Sequence, residues 1–383
     1  MSRRMADWSA DDQYFMSRAI ELAAQGRFTT HPNPRVGCVI VKDGKIIGEG
    51  YHQQAGGPHA EVHALQAAGD AAQGATAYVT LEPCAHFGKT PPCALALVNA
   101  GLERVVSAME DPNPLVAGKG HQILRDAGIQ VSFGLLEERS RALNPGFIQR
   151  MQTGMPWVRV KLAMSLDGRT AMASGESQWI TGPEARADVQ RLRAQSSAVI
   201  SGIDTVLMDE AALTVRPSSG HFTERECAYF AKVQPLRVIL DSRQRLAAVP
   251  DCRLLQSAGD IIHVHNEQVS ASVLEGKVEP WCFNTHDVGG LESLLRQLAE
   301  RQCNEVLVEA GARLAGAFVA AGLVNELVIY MAPTLMGSLA RPLLDLPLNT
   351  MAERHPLSIK DISPVGADWR ITAVPAVKSA SVI

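Results

Sequence analysis

Apolar runs of strand length alternate with helix-patterned segments along most of this chain, and that alternation restricts it to mixed sheets covered by helices. Ser9-Ala10-Asp11-Asp12 reads as a capping box, followed by Phe15, Ala19, Leu22 and Ala23 at helical spacing and closed by Gly26. Val36 to Val41 and Ile46 to Gly50 flank Asp43-Gly44, which suits a two-residue hairpin because both central positions need positive φ. Further helices are expected at Ala60 to Ala68, from Pro91-Pro92 onward and near His121 to Ala127, with strands at Thr76 to Leu81, Arg104 to Met109 and Ile129 to Phe133. The pattern breaks near Asn144-Pro145-Gly146 and restarts at Met155-Pro156. Strands then follow at Trp157 to Met164, Ala198 to Ile203, Leu236 to Asp241, Ile261 to His265, Glu305 to Glu309 and Glu326 to Met331. With 383 residues and no internal repeat, the chain reads as two unrelated α/β domains joined end to end, 1–150 and 151–383.

Hydrophobic residues at 46% and charged residues at 20% supply packed cores and exclude long disorder. No run approaches the roughly 18 apolar residues of a bilayer span, and acidic residues interrupt the start before any signal-like core. A cytoplasmic protein without a membrane partner is expected. Lys and Arg total 36 against 40 Asp and Glu, a net charge of -4, so a small molecule is a better expectation than a nucleic acid. The seven cysteines are an odd set spread over the chain and make no disulfide framework. Only Cys84 and Cys93 lie close together.

Those two cysteines give the first chemical constellation, with Pro58-His59-Ala60-Glu61 upstream. One imidazole and two thiolates form a three-ligand zinc set with an open fourth position, the arrangement of a catalytic site. His59, Cys84 and Cys93 would each pass singly for an ordinary capping or buried residue; together they point to a metal. Pro91-Pro92 sets Cys93 at a helix start, where the dipole favours a thiolate, and His59 is expected in the first turn of its own helix. Glu61, two residues on, points elsewhere and is free to exchange protons with a metal-bound water, as a hydrolytic deaminase requires. Eight residues separate the cysteines where base deaminases commonly have two. That insertion reads as a loop over the pocket, with Lys89 available to an anionic substrate and His86 a rival ligand.

Thr30-His31-Pro32-Asn33-Pro34-Arg35-Val36-Gly37, His59-Ala60-Glu61 and Glu82-Pro83-Cys84 through Pro91-Pro92-Cys93 closely resemble the deaminase half of the bifunctional riboflavin biosynthesis proteins. The resemblance implies a cytidine-deaminase-like α/β/α fold acting on a diamino-pyrimidinone that carries a phosphoribosylamino group. It also implies zinc on His59, Cys84 and Cys93, proton transfer by Glu61 and pyrimidine binding by Asn33.

In the second half, Val306-Leu307-Val308-Glu309 runs into the small-residue turn Ala310-Gly311-Ala312-Arg313-Leu314-Ala315-Gly316-Ala317. Such a turn admits a cofactor phosphate at a helix start, although it lacks the Rossmann spacing and close packing is the commoner use of those residues. This segment resembles the reductase half of the same family, as do Val160 to Thr170, Gly175 to Thr181, Leu192-Arg193, Asp204 to Leu207 and Leu213 to Arg216. The resemblance implies a dihydrofolate-reductase-like α/β fold that uses NADPH to reduce the ribosylamino sugar to a ribitylamino chain. It implies NADPH contacts from Ala163, Trp179, Thr205, Asp209, Ser242 and Gly311 to Ala317, and substrate contacts from Ser177, Arg193, Leu213, Arg216 and Glu309. Arg193 and Arg216 suit a phosphate because a guanidinium offers forked donors. Lys161 is a candidate near the reacting sugar. Glu210-Ala211-Ala212 stands where relatives commonly carry Asp-Pro, so the rigidity of that loop is open, and 218–233 carries no assigned chemistry.

The rival readings are a nucleoside or tRNA deaminase with a non-catalytic nucleotide-binding second domain, and a scaffold with structural zinc. Enzymes of this kind are expected to form homo-oligomers, dimers or tetramers.

Overall fold

The computed structural model describes residues 8–85, 92–114, 116–219, 221–266, 274 and 276–376. The chain divides into two compact units, Met1–Met155 and Pro156–Ile383.

The first unit contains α1 (Ala10–Ala24), β1 (Gly37–Lys42), β2 (Lys45–Tyr51), α2 (Ala60–Ala68), β3 (Thr76–Val79), α3 (Cys93–Asn99), β4 (Arg104–Ser107), α4 (Lys119–Asp126), β5 (Gln130–Phe133), α5 (Glu137–Leu143) and α6 (Pro145–Thr153). Its sheet runs β2-β1-β3-β4-β5, antiparallel over the first three strands and parallel over the last three. Ser9 and Asp12 form both bonds of the capping box that starts α1. Asp43 and Gly44 take the positive φ that the hairpin needs. Alternation along β1 sorts its side chains to two faces: Cys38 and Ile40 pack with Ala60, Ala64 and Leu97, whereas Val39 and Val41 pack with Phe15, Met16 and Ala19. The result is three layers, helix over sheet over helix.

The expected break near Asn144-Pro145-Gly146 is a junction between two helices. Pro145 opens α6, which crosses residue 150, and Asn144 fixes the junction by bonding the backbone of Arg35 through both ends of its amide, at 2.8 and 2.9 Å. A proline at a helix start and a proline at a domain break look alike in sequence.

The second unit contains β6 (Trp157–Ser165), β7 (Arg169–Ala171), α7 (Pro183–Gln195), β8 (Ala198–Gly202), α8 (Ile203–Asp209), α9 (Glu224–Phe230), β9 (Leu236–Leu240), α10 (Arg253–Gln256), β10 (Ile261–His265) and β11 (Glu279–Cys282). It continues with α11 (Val288–Glu300), β12 (Glu305–Glu309), α12 (Ala312–Ala320), β13 (Glu326–Ala332), β14 (Arg341–Pro342), β15 (Leu357–Val365) and β16 (Asp368–Pro375). Nine strands form one sheet, β11-β10-β9-β8-β12-β6-β13-β16-β15, parallel from β11 to β13 and antiparallel beyond it. The central strands are buried on both faces and read as continuous apolar runs, which made them visible in sequence. The hairpin β15–β16 was not expected, because β15 is exposed over most of its length and carries no burial alternation. Among the described residues no helix is long and apolar enough to cross a membrane.

Candidate active sites

Glycines let α2 lie directly on β2: a Cβ at Gly48 would stand 2.2 Å from the carbonyl oxygen of Ala64, and one at Gly50 2.4 Å from that of Ala60. This close approach holds the start of α2 over the sheet. His59 is the N-cap in extended conformation, one residue short of the first turn where it was expected, since the chain turns into α2 only after it. Its Nδ1 lies 3.2 Å from Cys93 Sγ and 3.6 Å from Cys84 Sγ. Cys84 follows Glu82, whose buried carboxylate accepts from the backbone amides of Asp111, Gly118, Gly120 and His121 and so anchors the segment that carries it. Cys93 is the first residue of α3, and its amide donates to Cys84 Sγ at 3.2 Å.

The three ligand atoms lie within 4.8 Å of one another, drawn together from three segments of the chain. One nitrogen and two sulfurs in this compass fit zinc with a fourth position left for solvent or substrate. Hydrogen bonds from Cys93 and His59 bring the Cys84 thiol down to about 4, and the resulting thiolate together with burial pushes the Cys93 thiol up. A dication reverses this balance by attracting both sulfurs as thiolates.

Glu61 is 3% exposed, in the first turn of α2 beside the ligands and outside the trio they form. Burial raises its carboxyl, with the His59 imidazole opposing, so it is biased toward holding a proton. Asn33 reaches the same neighbourhood through a residue the sequence reading passed over, His52. Asn33 Nδ2 is 3.1 Å from His52 Nε2, His52 Nδ1 is 3.0 Å from the Pro58 carbonyl, and the His52 ring stands edge-on to His59 at 5.3 Å. A carbonyl only accepts, so Nδ1 carries the proton and Nε2 accepts from the Asn33 amide. The signal in sequence was one isolated histidine, indistinguishable from a core histidine. Lys89, His86 and Pro91 lie outside the described residues.

In the second unit, the candidates gather at the C-terminal ends of the parallel strands. Lys161 and Glu309 are paired in register across β6 and β12. Arg193, on α7, donates through Nε to Glu309 Oε1 at 2.5 Å and through Nη2 to Oε2 at 2.9 Å, while its Nη1 donates to the Thr214 carbonyl at 3.0 Å. These bonds fix the guanidinium and leave one N–H on each terminal nitrogen beyond them. Burial lowers the Lys161 ammonium, opposed by Glu309. Arg216 is exposed in part; its partial burial and then Arg193, Arg253 and Arg186 disfavour the charged form, with the Glu309 carboxylate opposing them. Several cations around one guanidinium suit a multiply charged anion.

Ser177 donates to Asp209 at 3.1 Å, joining a residue assigned to substrate with one assigned to cofactor. Ala163 lies half-buried on β6 and Thr205 half-buried on α8, while Ser242 sits half-buried just beyond β9. Trp179 is 67% exposed with the Arg186 guanidinium 4.5 Å above its ring. Leu213 has φ +57° and a fully buried side chain in the core with Leu192, Val206 and Leu246, so its side chain is unavailable to a ligand; no local pattern marked this left-handed residue. The turn after β12 forms as expected, with Gly311 capping α12. Gly311 and Arg313 are exposed, Ala312, Leu314 and Ala317 are half-buried, and Ala315 and Gly316 face inward. A Cβ at Gly316 would meet the Asp345 carbonyl at 2.2 Å, so that glycine serves close packing.

Residues 9–109 match the cytidine and deoxycytidylate deaminase zinc-binding region, and residues 156–369 match the RibD C-terminal domain. The riboflavin biosynthesis protein RibD of Escherichia coli is 53% identical over 93% of this chain and 97% of its own. That of Haemophilus influenzae is 49% identical over 97% of this chain and 99% of its own. Among solved structures, Acinetobacter baumannii RibD superposes with a TM-score of 0.89 at 49% identity, covering 96% of this chain and 99% of the other. A deaminase/reductase from Thermotoga maritima, described as acting on diaminohydroxyphosphoribosylaminopyrimidine and 5-amino-6-(5-phosphoribosylamino)uracil, superposes at 0.84 with 34% identity over 96% and 99%. This chain belongs to the RibD family, the bifunctional enzymes of riboflavin biosynthesis that join a zinc-binding deaminase to a reductase.

Proposed function

We propose that the first unit deaminates 2,5-diamino-6-(5-phosphoribosylamino)pyrimidin-4-one and that the second reduces the ribosyl chain of the resulting 5-amino-6-(5-phosphoribosylamino)uracil to ribityl. The observation that carries this reading is the convergence of His59, Cys84 and Cys93 within 4.8 Å beside the buried Glu61. Those three residues would hold zinc, which when bound acts as a Lewis acid that makes water nucleophilic at neutral pH. Glu61 takes a proton at its carboxylate and gives it to the departing amine; its raised affinity for a proton suits both halves of that exchange. Asn33, oriented by His52, presents the oxygen of its amide to the pyrimidine.

In the second unit, NADPH supplies a hydride when bound. Ala163, Trp179, Thr205, Asp209, Ser242 and the turn from Gly311 to Ala317 would hold it, the inward-facing Ala315 and Gly316 by shaping the helix start. Glu309, clamped by Arg193, and Lys161 line the sugar position, with Ser177 and the backbone at Leu213 beside them. Arg216 binds the phosphate. The partners are therefore small phosphorylated pyrimidines, without nucleic acid or membrane, in a cytoplasmic homo-oligomer. The rival nucleoside or tRNA deaminase is disfavoured because the likeness to RibD extends over both units.

The test supplies the full chain first with the phosphorylated diamino-pyrimidine and then with cytidine, measuring ammonia, and follows NADPH oxidation on the deaminated intermediate. Ammonia from the first substrate and phosphate-dependent oxidation of NADPH are expected. Turnover of cytidine alone would overturn the substrate assignment.

A further inference from the structure

Past Glu210-Ala211-Ala212, where the sequence leaves the rigidity of the loop open, Leu213 to Val215 lie in no helix or strand, and among the described residues their backbone bonds to no other backbone. Side chains from elsewhere hold the segment in place of a ladder. Arg193 Nη1 donates to the Thr214 carbonyl at 3.0 Å. Gln234, just ahead of β9, accepts the Val215 N–H at 2.7 Å through Oε1 and donates through Nε2 to the Val215 carbonyl at 3.2 Å. Gln190 of α7, only 1% exposed, accepts the Arg216 N–H at 2.9 Å. Gln190 and Arg193 are three residues apart and so share one face of α7. Backbone held at three successive residues ends on the exposed Arg216.

We propose that Gln190 and Gln234 are positioning residues of the reductase, neutral amides that fix the backbone of Val215 and Arg216 so that the Arg216 guanidinium is presented to the substrate phosphate. The inference rests on the assignment of that phosphate to Arg216. Two features favour amides in this role. The buried Val215 has one donor and one acceptor to satisfy, and an amide answers both at once, whereas a carboxylate only accepts and an aliphatic chain does neither. The second feature is charge. Arg216 stands among Arg193, Arg253 and Arg186, and the nearby Glu309 is already gripped by Arg193. A glutamate at 190 would accept the same Arg216 N–H, but its carboxylate would compete with phosphate for these cations. Glutamine holds the backbone and leaves the cations to the ligand.

Steady-state NADPH oxidation by the full chain on 5-amino-6-(5-phosphoribosylamino)uracil tests this. Arg216→Gln is expected to raise KM at least about tenfold, and Gln190→Leu to raise it about tenfold with kcat within about threefold of native. Adding Gln190→Leu to Arg216→Gln should raise KM no further, because a residue that acts through Arg216 then has nothing left to position. Gln190→Glu keeps the acceptor and should still raise KM, whereas a merely structural acceptor would be replaced without loss. An unchanged KM in Arg216→Gln would overturn the phosphate assignment and this inference with it. A raised KM in Arg216→Gln beside a native KM in Gln190→Leu, or additive effects in the double variant, would overturn the inference alone. Should Gln190→Leu fail to fold, Gln190→Glu decides: a raised KM at a near-native thermal midpoint supports the role, and a native KM overturns it.

Discussion

Arg193 grips Glu309 at two points, 2.5 and 2.9 Å, across 116 residues of sequence. Both side chains are nearly closed off from solvent, and Lys161 stands beside Glu309 in register. The carboxylate is thereby held charged and in one orientation where the parallel strands end. Breaking a buried pair from one side leaves an uncompensated charge, at about 3–5 kcal/mol. Arg193→Met is expected to lower the thermal midpoint and abolish NADPH oxidation while zinc content stays intact. Arg193→Met/Glu309→Gln should recover much of the stability and none of the reduction, which calorimetry and a single-turnover assay would read together.

The same pair gives a pH dependence. Arg193 holds the Glu309 carboxyl below its ordinary 4.5 against the opposing effect of burial. A depressed acid contributes stability that is present above that value and lost as pH falls through the folded-state pKa. Urea midpoints measured from pH 7 down to about 3 should fall with acidification below pH 4.5 in the native chain, and by less in Arg193→Met/Glu309→Gln.

Glu61→Gln keeps the volume of the side chain and removes its ability to exchange protons. Zinc stoichiometry is expected to be unchanged and ammonia release to fall by about 10²–10⁴-fold. Reduction of separately supplied deaminated intermediate should continue at the native rate. Normal deamination by this variant would remove the proton-transfer role.

Metal removal should separate the two activities. Chelation, or Cys84→Ala, is expected to abolish deamination and leave NADPH oxidation on the intermediate intact, because the three ligands all belong to the first unit. Atomic absorption alongside both assays checks this. Loss of reduction on brief chelation would contradict the assigned division of labour.

His52 makes deamination sensitive to acid. Burial pushes its imidazole below 6.5, so the neutral ring is favoured in the folded chain and its stabilising contribution is complete above that value and declines as pH falls. Protonation would place a second N–H against the Asn33 amide, turning an acceptor into a donor. KM for deamination is expected to rise on acidification through the folded pKa, with little change in kcat until Glu61 titrates. In His52→Phe, KM should be high throughout and that acid-side rise absent.

The amino-acid sequence by itself determined the elements whose burial pattern is strong. The capped helix α1, the Asp43-Gly44 hairpin and the doubly buried strands β8, β10 and β12 each satisfy a local rule that needs no partner to be read. It also determined the donor types at His59, Cys84 and Cys93, since sulfur and imidazole announce their chemistry wherever they fall. Tertiary structure decided what those residues are near. That Arg193 closes on Glu309 and not on open solvent, that Leu213 turns inward at positive φ, that His52 orients Asn33, and that α6 continues past Pro145 all follow from contacts between segments far apart in sequence. The hairpin β15–β16 stayed illegible for the converse reason: its apolar residues face outward, and period-two alternation marks a strand only where one side meets the core of its own chain.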